Sequence, residues 1–450
     1  MSRQGGGKRP PLKVAFSAMR NSNYRLLWFG QLVSLSGTWM QRVAQSWLVL
    51  RITDSPLALG LITTVQFAPI MMFSLFGGVF ADRLPRRKLI MVTQTVMLVQ
   101  ALVFAILQTT GHLELGYIYV LAAVLGVASA ADQPARQAFL MEIVGPDDLP
   151  NAVALNSTQF NVSRIVGPAL GGIALATIGV AGCMYLNAVS YVAVIGGLFL
   201  MRPARFFETH EAIRGNVFKQ LGEGVKYALT TPDIAFIVLV LAILGTFGYN
   251  FLIMLPLISK FVLHSGPAGF GVLTSAMGVG AVFSALGMAY LGNPTRERVL
   301  WGGAGFSVLL IAMAFARTWW LAIPLTMMLG AFSITFQATA STRLQLLAPP
   351  NMRGRIMSIY QLLFAGSTPI GSVIFGWLAD HLGVPQATFI VGTCCAVGVM
   401  AGLLFVRRAA GRLLPDEQEA LDEHRAENRR AAGLATEAAL TAEGEVGGGE

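Results

Sequence analysis

The sequence predicts an all-α membrane protein, with twelve transmembrane helices arranged as two pseudo-symmetric six-helix bundles. Three observations predict it: the apolar composition, the number of apolar runs long enough to cross a bilayer, and the side of the membrane on which the cations fall. Of 450 residues, 54% are hydrophobic and only 12% carry a charge, against roughly 25% charged in an ordinary soluble domain. That much apolar surface needs lipid as its solvent. The formal charge of +9 would suggest nucleic acid in a soluble chain, but loop topology accounts for it here with no nucleic acid involved.

A helix needs about 20 apolar residues to cross roughly 30 Å of hydrocarbon. In the first half the runs are Tyr24 to Leu50, Ala58 to Phe80, Leu89 to Gln108, Leu115 to Ala131, Ala152 to Ile178 and Ala181 to Met201. In the second half they are Ile234 to Leu257, Gly269 to Leu291, Val299 to Ala316, Trp319 to Gln337, Ile356 to Leu378 and Pro385 to Val406. With both termini inside, 27 of the 32 Lys and Arg fall in cytoplasmic segments. Three, Arg51, Lys260 and Arg317, fall outside, and two, Arg42 and Arg164, fall deep within spans, with Arg25 at the inner end of the first span counted as cytoplasmic. One missed span would invert every later loop and spoil this bias, so the asymmetry supports both the orientation and the count.

The longest polar stretch between spans, Arg202 to Asp233, divides the chain. The expected organisation is therefore 1–201 as the first bundle, 202–233 as a cytoplasmic linker, 234–408 as the second bundle and 409–450 as a tail. Within the linker, Val217, Leu221, Val225 and Leu229 recur at helical spacing, which predicts a helix over Asn216 to Leu229 lying on the inner membrane surface. The tail turns Ala/Glu/Gly-rich and is expected to be disordered beyond Arg430. The first twenty residues lack a signal-peptide core, so the N-terminus is expected to stay in the cytoplasm of a cell whose inner, or plasma, membrane holds the chain. Cys183, Cys394 and Cys395 lie in apolar stretches and fit neither a disulfide framework nor a metal site. The halves also resemble one another: LPRRKLI after the second span is answered by NPTRERVL after the eighth, and RIVGPALGG in the fifth by STPIGSVIFG in the eleventh. Paired halves of this kind enclose a central cavity in rocker-type secondary transporters.

The sharpest motif is GVFADRLPRRK, from Gly78 to Lys88. Gly78 allows close helix contact, Asp82 sets an acid at a cytoplasmic helix end, and Arg83, Arg86 and Arg87 follow with Lys88. The carboxylate can meet a neighbouring helix N-terminus while an arginine clamps a second acid, or the cations can serve topology alone. Asp132 stands at the inner end of the fourth span, with Arg136 one turn on as a local partner. In the fifth span Gly167, Pro168, Gly171 and Gly172 give a bend and a small-sided packing face.

These stretches, together with NYRLLWFGQLVSLSGTWMQRVA, DQPARQAFL and NAVALNSTQFNVSRIVGPALGG, resemble the major facilitator superfamily up to about Arg408, most closely its exporter branch of enterobactin and macrolide exporters. Pro85 replaces the second glycine of the loop signature, which stiffens the turn. The resemblance implies that Asp82 contacts the eleventh helix, that Arg86 pairs with Asp132, and that together they latch the inner side in the outward-facing state. It also implies that the fifth-span glycines and proline act as an antiporter signature and that protons are the coupling ion.

On the first span, Gln31, Ser34, Thr38, Gln41 and Gln45 repeat at spacings of 3 and 4, which puts five polar side chains on one helix face, with Arg42 beside them. In lipid such a face looks into a cavity or forms a hydrogen-bonded seam with another helix. The cavity is the expected reading, so replacing Gln41 or Arg42 is expected to change substrate range more than protein level. Arg164, preceded by Asn156, pairs with Asp132, faces an anionic substrate, or snorkels. Tyr249, Asn250, Gln337 and Gln361 are weaker candidates to line the cavity in the second half.

No acid falls in the middle third of any expected span, so a strongly cationic substrate has no counter-ion there, and neutral, amphipathic or anionic substrates fit better. No GxxxxGK[ST] is present to bind a nucleotide, and no catalytic constellation is visible. The expected protein is thus a non-enzymatic exporter of a small molecule by alternating access, without cofactor or metal. It is expected to be monomeric in the lipid bilayer, with protons as the exchanged ion and Asp132 as their carrier. An importer of the same fold and a membrane scaffold that does not cycle are the rival readings.

Overall fold

A computed structural model of the chain describes residues 16–202, 206–207, 217–291 and 294–410. Among these residues there is no strand, and nine helical stretches are long and apolar enough to cross a membrane. One of the nine, Leu115–Thr177, contains two crossings, because Gly145 turns the chain with φ 74° and ψ 178°. The first helix, Ser22–Thr53, is diluted by its polar stripe, and the ninth, Arg296–Met313, opens on Arg296, Glu297 and Arg298. Adding these gives the expected twelve. The others are the second (Pro56–Arg83), third (Arg86–Thr110), sixth (Gly179–Leu200), seventh (Pro232–Val262), eighth (Pro267–Leu291), tenth (Trp319–Leu347), eleventh (Pro350–Gly366 and Thr368–Leu382) and twelfth (Val384–Ala410).

The structure corrects the sequence reading most at the fourth and fifth helices. The polar stretch after Ala131 is helical, so Asp132 and Arg136 lie inside the fourth helix. The helices meet at Gly145, whose left-handed backbone turns the chain, and Pro146 follows at the start of the fifth helix, where a missing N–H costs nothing. The linker helix forms over Val217–Thr230, and the tail beyond Ala410 lies outside the described residues. The seventh helix widens into π-type turns at Leu244–Gly248 and Ile258–Val262 around a short segment holding Pro256. The eleventh breaks at Ser367, just before Pro369.

A ladder of contacts runs up the first and fifth helices. The Tyr24 hydroxyl donates to Ala152 O (3.0 Å), Trp28 Nε1 to Leu155 O (3.1 Å), Gln159 to Trp28 O, and Ser163 Oγ to Leu32 O (3.4 Å). Farther out, a side chain on Gly167 would meet Trp39 Cβ at 2.6 Å, and one on Gly171 would meet Met40 Cα at 3.1 Å. The glycines therefore let the two helices keep the close spacing that the hydrogen bonds begin.

Candidate functional site

The polar stripe of the first helix is buried except at the half-buried Thr38, and its centre is a seam within the first bundle. Gln41 Nε2 donates to Gln100 Oε1 on the third helix (3.2 Å), and Asn187 Nδ2 on the sixth donates to Gln41 Oε1 (2.5 Å). Thr38 Oγ1 shares a hydrogen bond with the Tyr191 hydroxyl (3.1 Å), which also accepts from Asn187 (3.4 Å). These bonds give Thr38 and Gln41 partners on helix neighbours within the first bundle, the hydrogen-bonded seam that was the rival to the cavity reading. Gln31, Ser34 and Gln45 are buried too, with Gln31 Nε2 and Gln45 Oε1 lacking partners. The sequence missed Gln100, Asn187 and Tyr191, although lone polar residues in otherwise apolar spans were the available signal.

Arg42 differs from the stripe beside it. Its guanidinium lies 4.6 Å from the Trp39 ring centroid and 5.1 Å from that of Phe67 on the second helix, a cation held between two π faces. Its Nε is buried without a hydrogen bond, and no described carboxylate pairs with it.

Asp132 is 4% exposed. It forms an ion pair with Arg136 Nε (2.5 Å) and accepts from Thr93 Oγ1 (2.7 Å) and Gln94 Nε2 (3.0 Å). The expected partner, Arg86, instead reaches Glu142, ten residues further along the fourth helix, at 2.7 Å. Depth explains the difference: Thr93 lies seven residues into the third helix, roughly 10 Å deeper than Arg86 by helical rise. Glu142 was missed because its segment read as a loop. Arg87 Nε caps the sixth helix at Leu198 O (2.9 Å). The side chains of Gly78, Asp82 and Arg83 lie outside the described residues, and so does the expected contact of Asp82 with the eleventh helix. The second bundle has its own inner cluster, where Arg296 and Arg343 both approach Asp233 at 3.8 Å.

Arg164 lies on the fifth helix, half-buried and without a described carboxylate partner. With Asp132 taken by Arg136, the pairing of Arg164 with Asp132 does not form. The second bundle carries an aromatic cluster. Tyr249 lies 5.4 Å from Phe364 and 6.1 Å from Phe251 between ring centroids, and Tyr360 stacks on Phe364 with an interplanar angle of 5°. The other sequence candidates are mostly structural. Asn250 donates to Thr246 O (2.6 Å) and accepts from Ser372 Oγ (3.2 Å), which ties the seventh helix to the eleventh. Gln337 bonds Ser333 Oγ within its own helix (3.0 Å), and Asn156 accepts weakly from the Tyr24 hydroxyl (3.4 Å). Gln361 is exposed.

The bundles meet toward the helix ends at which Ser55, Lys260 and Asp380 lie, the outer ends in the expected orientation. Gly172 on the fifth helix abuts Gly271 on the eighth, and Gly60 on the second faces Ser372 and Gly376 on the eleventh. Ser55 Oγ donates to Asp380 (3.0 Å), Thr64 Oγ1 to Pro369 O (2.8 Å), and Lys260 to Asp54 and to Leu50 O. The fifth-helix glycines thus split their work: Gly167 and Gly171 serve the first bundle, and Gly172 serves the contact between bundles. Pro168 lies between them within the helix.

Comparison with known proteins agrees with this architecture. A family model described as transmembrane secretion effector matches residues 13–432. The staphyloferrin A transporter of Staphylococcus aureus is 24% identical over 79% of this chain and 89% of its own length. The multidrug efflux pump Tap of Mycolicibacterium fortuitum is 25% identical over 81% and 91%, and macrolide efflux protein A of Streptococcus pyogenes 21% over 82% and 93%. Among solved structures, an inward-facing bacterial homologue of the lysosomal transporter Spinster superposes with a TM-score of 0.67 at 12% identity, covering 91% of this chain and all of that one. An inward-facing bacterial homologue of ferroportin gives 0.64 at 14% identity, covering 88% of this chain.

Proposed function

The chain belongs to the transmembrane secretion effector family of the major facilitator superfamily, and from that premise we propose that it exports a small amphipathic molecule by alternating access in exchange for protons. The observation that carries this reading is the seam at the outer ends. It consists of glycine contacts and a few polar bonds between bundles, contacts that can part and re-form without unfolding either side. The bundles 1–201 and 234–408 rock about this seam, joined by the linker 202–233, with the tail 409–450 in the cytoplasm. The chain works as a monomer in the inner membrane with both termini inside, and Asp132 is the proton carrier. Names among its relatives suggest siderophores, macrolides and other drugs as cargo.

The test is uptake of labelled siderophores and macrolides into inverted membrane vesicles, with and without an imposed proton gradient. Uptake that collapses with the gradient is the expected result. Movement of an identified cargo that ignores the gradient would remove proton exchange and Asp132's role in it.

A further inference from the structure

We propose that Arg42 and Arg164 form an anion seat for the cargo, whose substrate class is an acidic amphiphile: a carboxylate, or two, on an aromatic or aliphatic body. This rests on the transport reading above. Both arginines stand in membrane-crossing helices, where an uncompensated cation costs several kcal/mol by order of magnitude. Every described carboxylate near the first bundle's interior is committed elsewhere, Asp132 to Arg136 and Glu142 to Arg86. The charge at Arg42 is met by two π faces, and its Nε still lacks an acceptor. No described carboxylate pairs with Arg164 either, and the tyrosines of the second bundle hold their own hydroxyls only loosely, Tyr249 to Ser333 O and Tyr360 to Gln337 O at 3.5 Å, the outer limit of a hydrogen bond.

The two cations are near enough to serve one molecule. Gly167, one turn outward from Arg164, abuts Ser36 and Trp39, and Arg42 is one turn outward from Trp39. Helical rise then sets the two Cα atoms roughly 10 Å apart along the helix axes, a gap that two arginine side chains can span toward one ligand. The planar guanidinium matches a carboxylate with two parallel hydrogen bonds, and desolvation strengthens them. The ring system of Tyr249, Phe251, Tyr360 and Phe364 offers the opposite surface for an apolar body. A cationic drug would face two like charges and no counter-ion, which excludes it from this seat.

The experiment is a binding titration of the full-length protein in lipid nanodiscs with 1-pyrenebutyric acid and with its uncharged methyl ester. Binding is read as quenching of tryptophan emission, corrected with empty nanodiscs. The expected result is a Kd for the acid ten- to a hundredfold lower than for the ester. Replacing both cations (Arg42→Gln with Arg164→Gln) should abolish that preference, while the Arg42→Lys with Arg164→Lys pair should keep part of it. Equal binding of acid and ester by the unaltered protein, or a preference that survives the Gln pair, would overturn the anion seat and leave the export reading standing. A preference for the acid in the unaltered protein that the Gln pair abolishes, together with no uptake of any labelled siderophore or macrolide into inverted vesicles, would support the seat and sink the export reading.

Discussion

The two six-helix bundles share a fold but not a way of holding it together. The first is laced by buried polar side chains: Gln41, Gln100, Asn187, Tyr191 and Thr38 join three helices, and Asp132 joins the third and fourth through Thr93, Gln94 and Arg136. Among the described residues the second has sparser links, such as the buried Ser372 to Asn250 and the half-buried Ser284 to Thr335 (2.8 Å), but it has interrupted helices, with two wide turns in the seventh and a break in the eleventh. Hydrogen bonds in an apolar medium demand fixed distances and angles, whereas apolar packing and wide turns tolerate sliding. The contrast assigns rigid recognition to the first bundle, which also carries both intramembrane arginines, and compliance to the second, which supplies an aromatic face.

The sharpest way to break this contrast is to remove its most committed charge. Asp132→Leu leaves Arg136 buried beside two stranded polar groups, a change expected to cost about 3–5 kcal/mol. Asp132→Asn keeps an acceptor for Thr93 and Gln94 and should cost distinctly less, so the two variants should separate clearly in thermal unfolding of the detergent-solubilised protein. Melting temperatures of both variants equal to that of the unaltered protein would mean that the ion pair contributes nothing and that the first bundle is no more tightly specified than the second.

A second substitution tests the contact between bundles. Gly172→Leu would drive a side chain into the backbone of Gly271 on the eighth helix. It should hold the outer ends apart, raise labelling of a cysteine introduced at Ser55 by a membrane-impermeant thiol reagent at least severalfold, and cut transport about tenfold or more. Gly171→Ala should leave that labelling unchanged, since Gly171 faces Met40 and Val43 of its own bundle. Matching responses would show that the seam does not run through Gly172.

The seam inside the first bundle predicts an intermediate effect. Gln41→Leu leaves Gln100 Oε1 without its donor and Asn187 Nδ2 without its short acceptor, which is expected to cost about 1–3 kcal/mol. Gln337→Leu in the second bundle loses one bond to Ser333 within its own helix and should cost no more than about 1 kcal/mol. The melting temperature should therefore fall more for Gln41, with cargo selectivity unchanged. That reverses the sequence-based expectation that Gln41 governs substrate range.

What the sequence conveyed and what it hid follow from the range of each signal. Spans and linker helix were legible because hydropathy and its helical period act along the chain. The continuation of the fourth helix past Asp132 was not, because its inner turns are polar and look like a loop until tertiary packing pays for them. The polar stripe on the first helix was visible as a face, but the third and sixth helices opposite it lie far away in sequence, so a seam and a cavity wall looked alike. The isolation of Arg42 and Arg164 likewise emerges only once Asp132 and Glu142 are seen to be engaged elsewhere.

The smallest effect belongs to the outer latch, where Lys260 reaches Asp54 and the carbonyl of Leu50 from the opposite bundle. The Asp54 side chain is 74% exposed, so water and salt screen the pair, and exposed pairs contribute about 0–1 kcal/mol. A change of 1 kcal/mol corresponds to about a fivefold change in a population ratio. Lys260→Gln keeps a donor for Leu50 O and removes only the charge, so labelling at the outer mouth should rise by less than about fivefold, and raising the salt concentration should mimic it in the unaltered protein. A larger rise, or one insensitive to salt, would mean that the outer seam is held by electrostatics rather than by the glycine contacts beneath it, and the compliant bundle would then be latched by charge as the rigid one is.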